Sequence, residues 1–376
     1  MICKHFGTCG GCSYLDIPYS DELKQKEMAL RETLGSNGHL LEKIVPAPSP
    51  EGYRNKMELA FGDEGKNGKL ALGIRKRRSF YEVASVENCI LIPNDFREIA
   101  KIVHDYFTKA EEPFFHRKRH TGSLRHLVLR RGEFTGEVLL VFSTTSNLKA
   151  PLEPLLTTLT NQFANKLVGI LHSVNDGVAD VVKAENTKLL WGKDYYHEKI
   201  CGLDFKVSAF SFFQTNSAGA EVLYNTVIKM AKTDKAKLAY DLYCGTGTIG
   251  LVLSPNFEKV IGVELNPEAI ESARTNAERN QITNCDFIAG DVQLLLESKT
   301  PDVAIIDPPR NGLHPKALTK LIALSPPKLV YVSCKPSSLA RDLISLTEAG
   351  YKPELAIGVD MFPRTPHIET VMLLNL

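Results

Sequence analysis

No stretch of this chain is long and apolar enough to span a membrane, so no integral membrane protein is expected. Its start, Met1-Ile2-Cys3-Lys4, lacks the apolar core of a signal peptide, which points to the cytoplasm. No internal repeat or low-complexity tract interrupts it. Net charge is nearly absent: 45 Lys and Arg against 44 Asp and Glu leave +1, an unpromising balance for a nucleic-acid binder. Two windows nevertheless contain no acid at all. Residues 65–81 hold Lys66, Lys69, Arg75, Lys76, Arg77 and Arg78. Residues 113–131 hold Arg117, Lys118, Arg119, Arg125, Arg130 and Arg131, with His116, His120 and His126. A solvated face is the ordinary fate of a charge run, but such clusters can also neutralise phosphates. Two of them in one half of the chain favour contact with RNA or DNA. No protein partner is implied.

What is present is an ordinary globular composition over 376 residues, enough for two or three domains. Eight cysteines could suggest secretion, but their clustering argues for a metal site in a reducing compartment. Cys3, Cys9 and Cys12 open the chain, and Gly10-Gly11 lets the backbone turn so that Cys9 and Cys12 face one centre. Cys89 is the candidate fourth ligand. Four thiolates suit an iron–sulfur cluster or a tetrahedral zinc, and three clustered cysteines plus a distant one lean towards iron–sulfur. Cys201, Cys244 and Cys285 read as structural.

An amphipathic helix is expected over 19–34, with Leu23, Met28, Leu30 and Leu34 as its apolar members. Gly35 to Gly38 ends it, and Pro46, Pro48 and Pro50 mark a linker. From Tyr53 to about Leu190, strand-like runs such as 69–74, 124–129 and 136–142 predominate, with helices expected over 95–109 and 152–163. The expected division is a cysteine segment and helix over 1–45, a mixed α+β domain carrying the basic clusters over 46–204, and an α/β domain over 205–376. In the last, short apolar strands alternate with helices, which predicts a parallel doubly wound, Rossmann-like sheet.

Leu238 to Gly250 is a strand, a Gly-rich turn and a helix, with Gly245 and Gly247 free to let the backbone approach a ligand. A second strand ends at Glu264, about 20 residues on, the spacing at which a carboxylate meets ribose hydroxyls. Asp291 follows a third strand and Asp307-Pro308-Pro309-Arg310 ends a fourth. Acids at successive strand ends fit S-adenosylmethionine better than NAD, whose fingerprint wants a third glycine close behind and a phosphate at the helix start. Each acid alone could be a cap or a solvated loop residue. Lys328 to Ser333 reads as a buried strand, which places Cys334 at its carboxyl end, the edge where such sheets bind ligands. A lone cysteine is more often a small core residue than a nucleophile.

Seven motifs in order along nearly the whole chain resemble the RNA uracil-C5 methyltransferase family, which includes the bacterial 23S rRNA and tRNA 5-methyluridine enzymes. They are the four cysteines, Ser211-Phe-Phe-Gln-Thr-Asn216, Asp241-Leu-Tyr-Cys-Gly-Thr-Gly247, Gly262-Val-Glu264, Asp307-Pro-Pro-Arg310, Ser333-Cys334 and His367-Ile-Glu369. The resemblance implies a C-terminal methyltransferase domain and a [4Fe–4S] cluster on Cys3, Cys9, Cys12 and Cys89. It also implies S-adenosyl-L-methionine contacts from Gln214, Tyr243, Glu264 and Asp307, a Cys334 nucleophile and a Glu369 base. Arg310 is a candidate for phosphate or base contact, and Phe212 or Phe213 for stacking on a flipped base. The chain departs from the family in placing Lys335 where Asn usually follows the Ser-Cys pair; a lysine there could lower the thiol pKa. No additional N-terminal β-barrel is expected, which is most like the smaller 23S rRNA members. The same chemistry on tRNA, an amino-group methyltransferase using Asp-Pro-Pro, and a non-catalytic iron–sulfur RNA-binding protein are the alternatives.

Overall fold

The computed structural model describes residues 3–66, 68–179, 182, 186–233, 237–292 and 299–376. Met1 and Ile2, on which the lack of a leader was partly read, lie outside them. Among the described residues, no helix is long and apolar enough to cross a membrane.

The chain opens with a loop carrying three cysteines, then helix α1 (Tyr19–Leu34) and strand β1 (Leu41–Val45). Helix α1 lies where the pattern places it, but it buries a different stripe. Leu30 and Leu34 are joined in the interior by Glu22 and Lys26, while Met28 is 69% exposed. Spacing by four defines that face, and two charges occupy it because they neutralise each other: Lys26 Nζ stands 2.8 Å from Glu22 Oε1.

The central sheet runs β4-β3-β2-β5-β6-β7-β8, from β2 (Lys56–Asp63), β3 (Leu70–Arg75), β4 (Val83–Ser85), β5 (Leu124–Arg131), β6 (Val138–Thr144), β7 (Leu167–Val174) and β8 (Thr187–Gly192). Side chains alternate across it. Leu127, Leu129, Leu140 and Phe142 pack on one face with α2 (Asn94–Lys109) and α3 (Glu153–Gln162). Val128, Leu139 and Val141 pack on the other with Tyr196 and Phe205, from the hairpin of β9 (Tyr195–Ile200) and β10 (Leu203–Ser208), and with Leu223 of helix α4 (Ser217–Ala231). The same apolar cluster continues into the second sheet through Val330, Val332 and Val371.

That second sheet has the order β1-β16-β17-β15-β14-β11-β12-β13. Its parallel strands are β11 (Leu238–Leu242), β12 (Lys259–Glu264), β13 (Cys285–Ala289), β14 (Val303–Ile306) and β15 (Lys328–Ser333). Strand β16 (Lys352–Val359) pairs with β17 (Glu369–Asn375), which runs antiparallel between β15 and β16. Helices α5 (Thr248–Leu253), α6 (Pro267–Arg279), α7 (Pro315–Leu324) and α8 (Pro336–Glu348) connect the strands. Chain order reverses between β11 and β14, and that switch point is where such sheets bind ligands. Strand β1 pairs in parallel with β16, so the helix and strand of the first 45 residues pack with the C-terminal sheet.

The second basic window does less on the surface than its composition promises. Arg125 is 2% exposed and donates to the carbonyls of Asn175, Gly177 and Ala179. Arg130 is 1% exposed and donates to Ser208, Ser211 and Ala209, at 3.0, 2.7 and 2.8 Å. Arg131 pairs with Asp95 and Glu133, and His126 is buried. These side chains are structural, and the exposed cations of this window are Lys118 and Arg119 in the hairpin after His116. That hairpin meets the first basic window through a stack of His116 on Tyr81, with ring centroids 4.2 Å apart.

Arg130 therefore ties the central sheet to the loop before α4. Arg130→Met would strip one buried and two part-buried carbonyls of their donor and is expected to cost about 1–3 kcal/mol of unfolding free energy. Urea unfolding measures this; a loss below about 0.5 kcal/mol would contradict the assignment.

Candidate active site

The parallel strands of the second sheet end along one edge, and the reversed direction of β17 makes it begin there. Ser333 pairs with Thr370 in the β15–β17 register, so the next step places Cys334 opposite Glu369. Val359 faces Glu369 on the other side. Asp307 and Arg310 arrive from the end of β14. Four of the residues singled out in the sequence are thereby brought together.

Their electrostatics are those of a dry site. Burial raises Glu369 to about 8, with Asp307 adding to the shift and Arg310 opposing it. Burial alone raises Asp307 to about 7. The Cys334 thiol is pushed up to about 11 by burial, then by Glu369 and Asp307, again against Arg310. In the free protein at neutral pH the thiol holds its proton and Glu369 is largely protonated. The cation acting on the thiol is Arg310 rather than Lys335. Lys335 is exposed and caps α8 with extended backbone and no side-chain hydrogen bond. An asparagine there could accept a capping bond, which lysine cannot. Ser333 Oγ holds the turn instead, accepting from Lys335 N at 3.2 Å and donating to Lys335 O at 3.0 Å.

The Gly-rich turn after β11 lies beside this edge. Tyr243 has φ +64, Gly245 +54 and Gly247 +77. The two glycines do different work. A Cβ on Gly245 would meet nothing within 4 Å, so its face is open to a ligand. A Cβ on Gly247 would strike Phe287 at 2.7 Å and Ala273 at 2.8 Å, so Gly247 serves close packing of α6 and β13. Glu264 closes the turn, accepting from Gly245 N at 3.3 Å and Asn266 N at 2.9 Å. Asp241 is fully buried and accepts from Gly250 N at 2.7 Å; burial, opposed by that bond, raises it to about 7. The buried Tyr224 hydroxyl feels both Gln214 and Asp307, so Gln214 approaches the same edge. Phe213 is 5% exposed and packs on Phe205, whereas Phe212 is 71% exposed and free to stack.

Cys3, Cys9, Cys12 and Cys89 line one apolar pocket with His5, Leu15 and Leu91 among its walls. Gly11 N donates to Cys9 Sγ at 3.3 Å. Burial raises the Cys9 and Cys89 thiols and pushes Cys12 up to about 12, with the neighbouring cysteines adding to it. Among the described residues, no group of three or more His, Cys, Asp or Glu has the spacing for a single metal ion. A tetrahedral zinc would draw its sulfurs to within roughly 4 Å of one another. A four-iron cluster holds its thiolates at separate corners, and the four-thiol set around one pocket has the donor chemistry for it. Cys201, Cys244 and Cys285 pack at or in the core around α4, α5 and β13.

Two groups escaped the sequence reading. Arg54 acts on Cys9, Cys12 and His367, and so lies between the cysteine pocket and the active edge. Arg364, in the loop before Glu369, has φ +68 and a nearly buried guanidinium. A single arginine in each segment gave no spacing signal by which to find them.

Residues 155–293 match the family described as tRNA (Uracil-5-)-methyltransferase, and residues 233–355 match a methyltransferase domain. A chain from Clostridium tetani described as an uncharacterized RNA methyltransferase is 44% identical over 98% of this chain and 82% of its own length. One from Caldanaerobacter subterraneus, described likewise, is 43% identical over 99% and 84%. Among solved structures, a tRNA (uracil-54, C5)-methyltransferase from Pyrococcus abyssi, in complex with S-adenosyl-L-homocysteine, superposes with a TM-score of 0.81 at 31% identity. That likeness covers 98% of this chain and 86% of the other.

The Glu369 carboxyl gives a pH test. Burial raises it from an ordinary 4.5 to about 8. Between those values the folded state holds a proton that the unfolded state has lost, so stability falls as pH rises through that window. Glu369→Gln cannot ionise. Its melting temperature relative to the parent is expected to rise steadily from about pH 5 to about pH 8.5. A difference that does not change with pH would contradict the buried, protonated carboxyl.

Proposed function

This chain belongs to the RNA uracil-5-methyltransferase family, and on that premise we propose that it methylates uridine C5 in 23S rRNA through a covalent bond between Cys334 and uracil C6, with Glu369 as the base. It is an enzyme that uses S-adenosyl-L-methionine and acts on RNA. The observation that carries the finer reading is the register that sets Cys334 beside Glu369 at the ligand-binding edge.

Uracil C5 is a poor nucleophile. Addition of the Cys334 thiolate to C6 pushes the ring electrons to C5, which can then take a methyl group. S-adenosyl-L-methionine supplies that methyl as an electrophile on a sulfonium sulfur. Glu369 then removes the C5 proton; the C–H pair restores the C5–C6 double bond and the C6–S bond breaks. Arg310, the cation that opposes both raised pKa values, favours the ionised thiol and carboxyl that these steps need. Gln214, Tyr243, Glu264 and Asp307 are assigned to the cofactor, with Gly245 giving room for it. The target uridine must leave its stack, and the exposed Phe212 is the group assigned to stack on it or a neighbour.

Cys3, Cys9, Cys12 and Cys89 are assigned a [4Fe–4S] cluster, supported by their common pocket and the Gly11 N–H on Cys9. Methyl transfer needs no electron from it; it organises the N-terminal segment and shapes RNA recognition. Residues 46–204 are assigned to RNA recognition and 205–376 to catalysis, with α1 and β1 counted with the latter. Assignment to 23S rRNA rests on the resemblance of the cysteine layout to the smaller rRNA enzymes. The tRNA reading is favoured by the likeness to the Pyrococcus abyssi enzyme, whose described substrate is tRNA uracil-54.

Purified protein, methyl-labelled S-adenosyl-L-methionine and total RNA from cells lacking the gene test both levels. Label is expected as 5-methyluridine in 23S rRNA; 5-methyluridine in tRNA would keep the chemistry and overturn the rRNA assignment. Cys334→Ala is expected to abolish the product, and retained activity would point to an amine acceptor. Because kcat/KM reports the free enzyme up to methyl transfer, its ascending limb follows the Cys334 thiol and is expected to keep rising above about pH 8. Arg310→Met is expected to move that limb to higher pH, and an unmoved or acid-shifted limb would refute the role given to Arg310.

A further inference from the structure

Glu369 stands directly after an irregular loop, residues 360–368, whose position no sheet pairing fixes. Besides single bonds from Tyr53 to the Pro363 carbonyl and from Asn216 to the Met361 carbonyl, it is held by a buried ionic knot that the chemistry does not use. Lys26 Nζ is 2.8 Å from Asp360 Oδ1, 2.8 Å from Glu22 Oε1 and 3.2 Å from the carbonyl of Phe362. Tyr19 donates to the other Asp360 oxygen at 2.8 Å. Glu22 in turn accepts from Arg364 N at 2.7 Å. The Arg364 guanidinium donates to the carbonyls of Tyr14 and Ile17 at 3.3 and 3.1 Å, and the Arg364 carbonyl accepts from Ser13 N at 2.7 Å. Ser13 directly follows Cys12. One connected set of bonds thus runs from the cysteine segment to the loop that ends at Glu369.

Stability alone does not account for such a knot. Burying Lys26, Glu22 and Asp360 costs desolvation that apolar side chains of similar size would avoid. What an ionic knot supplies that an apolar one does not is direction, since hydrogen bonds hold their partners at preferred angles. The left-handed backbone at Arg364, unusual for a side chain that branches late and carries charge, is held in place by bonds on its N–H, its carbonyl and its guanidinium.

We propose that Arg364, with Glu22, Lys26 and Asp360, is a set of positioning residues for Glu369, through which the cysteine segment holds the proton-removing carboxyl in place. This rests on the reading of Glu369 as base. Methyl transfer precedes proton removal, so a displaced Glu369 leaves the first half of the reaction intact. The thiolate still adds to C6 and C5 still takes the methyl group. The C5 proton then stays, the C6–S bond does not break, and the methylated RNA remains attached to the enzyme.

The test is a single turnover of holoenzyme with total RNA from cells lacking the gene and methyl-labelled S-adenosyl-L-methionine, quenched in detergent. Label migrating with protein on a denaturing gel reports the adduct. Arg364→Ala is expected to form the adduct at nearly the parent rate and release it about 10- to 100-fold more slowly, while Arg364→Lys recovers part of the release rate. Formation and release slowed together, or neither slowed, would overturn the proposal. Glu369→Gln is the control. If it accumulates no adduct, the base assignment fails; if it does and Arg364→Ala does not, the positioning role fails. Hydrogen exchange gives a readout independent of turnover: amides of 360–368 are expected to exchange faster in Arg364→Ala while those of β11 do not. Equal exchange in both proteins would also overturn the proposal.

Discussion

The active edge depends on one strand running against its neighbours. Strand β17 enters the sheet between β15 and β16 in the antiparallel sense, so its first residue arrives where the parallel strands finish. A parallel strand there would send Glu369 to the opposite edge, away from Cys334. Loops alone hold side chains loosely, whereas a strand register fixes Cβ atoms on adjacent strands about 5 Å apart. The proposed nucleophile and base therefore owe their separation to the hydrogen-bond ladder of the sheet.

Packing the pair into the protein has an electrostatic consequence. Asp307, Glu369 and Cys334 are acids crowded in a poorly solvated corner with Arg310 as the opposing cation. Each negative charge makes the next one harder to form. The resting site is close to neutral, and ionisation of the thiol and of Glu369 is coupled. Such a site suits a two-stage reaction in which a nucleophile must ionise first and a base must act later. It also protects the thiol, since a protonated Cys334 reacts slowly with oxidants and electrophiles.

The fold and the active edge were legible to different depths. Glu264, Asp291 and Asp307 stood out because strands with period and length announce their own ends, and three carboxylates at successive ends say together what none says alone. The helices expected over 19–34 and 95–109 lie at Tyr19–Leu34 and Asn94–Lys109. Arg125 and Arg130 were misread because composition does not separate a buried arginine from an exposed one. The carbonyls that satisfy them lie about fifty and eighty residues downstream in sequence, where no local pattern links them. The stripe on α1 failed for a related reason: Glu22 and Lys26 look like surface residues until Asp360, more than three hundred residues away, is set against them. Gly247 looked like part of the ligand loop because a glycine reads alike whether it makes room for a ligand or for Phe287.

The central claim is that Cys334 and Glu369 act in sequence on one uracil ring. Peptide mapping by mass spectrometry of the nuclease-trimmed adduct from Glu369→Gln tests it most directly. A Cys334 peptide carrying a uridine heavier by one methyl group is the predicted result. A nucleotide attached to another residue, or free 5-methyluridine formed at the parent rate with no adduct on Cys334, would contradict the account.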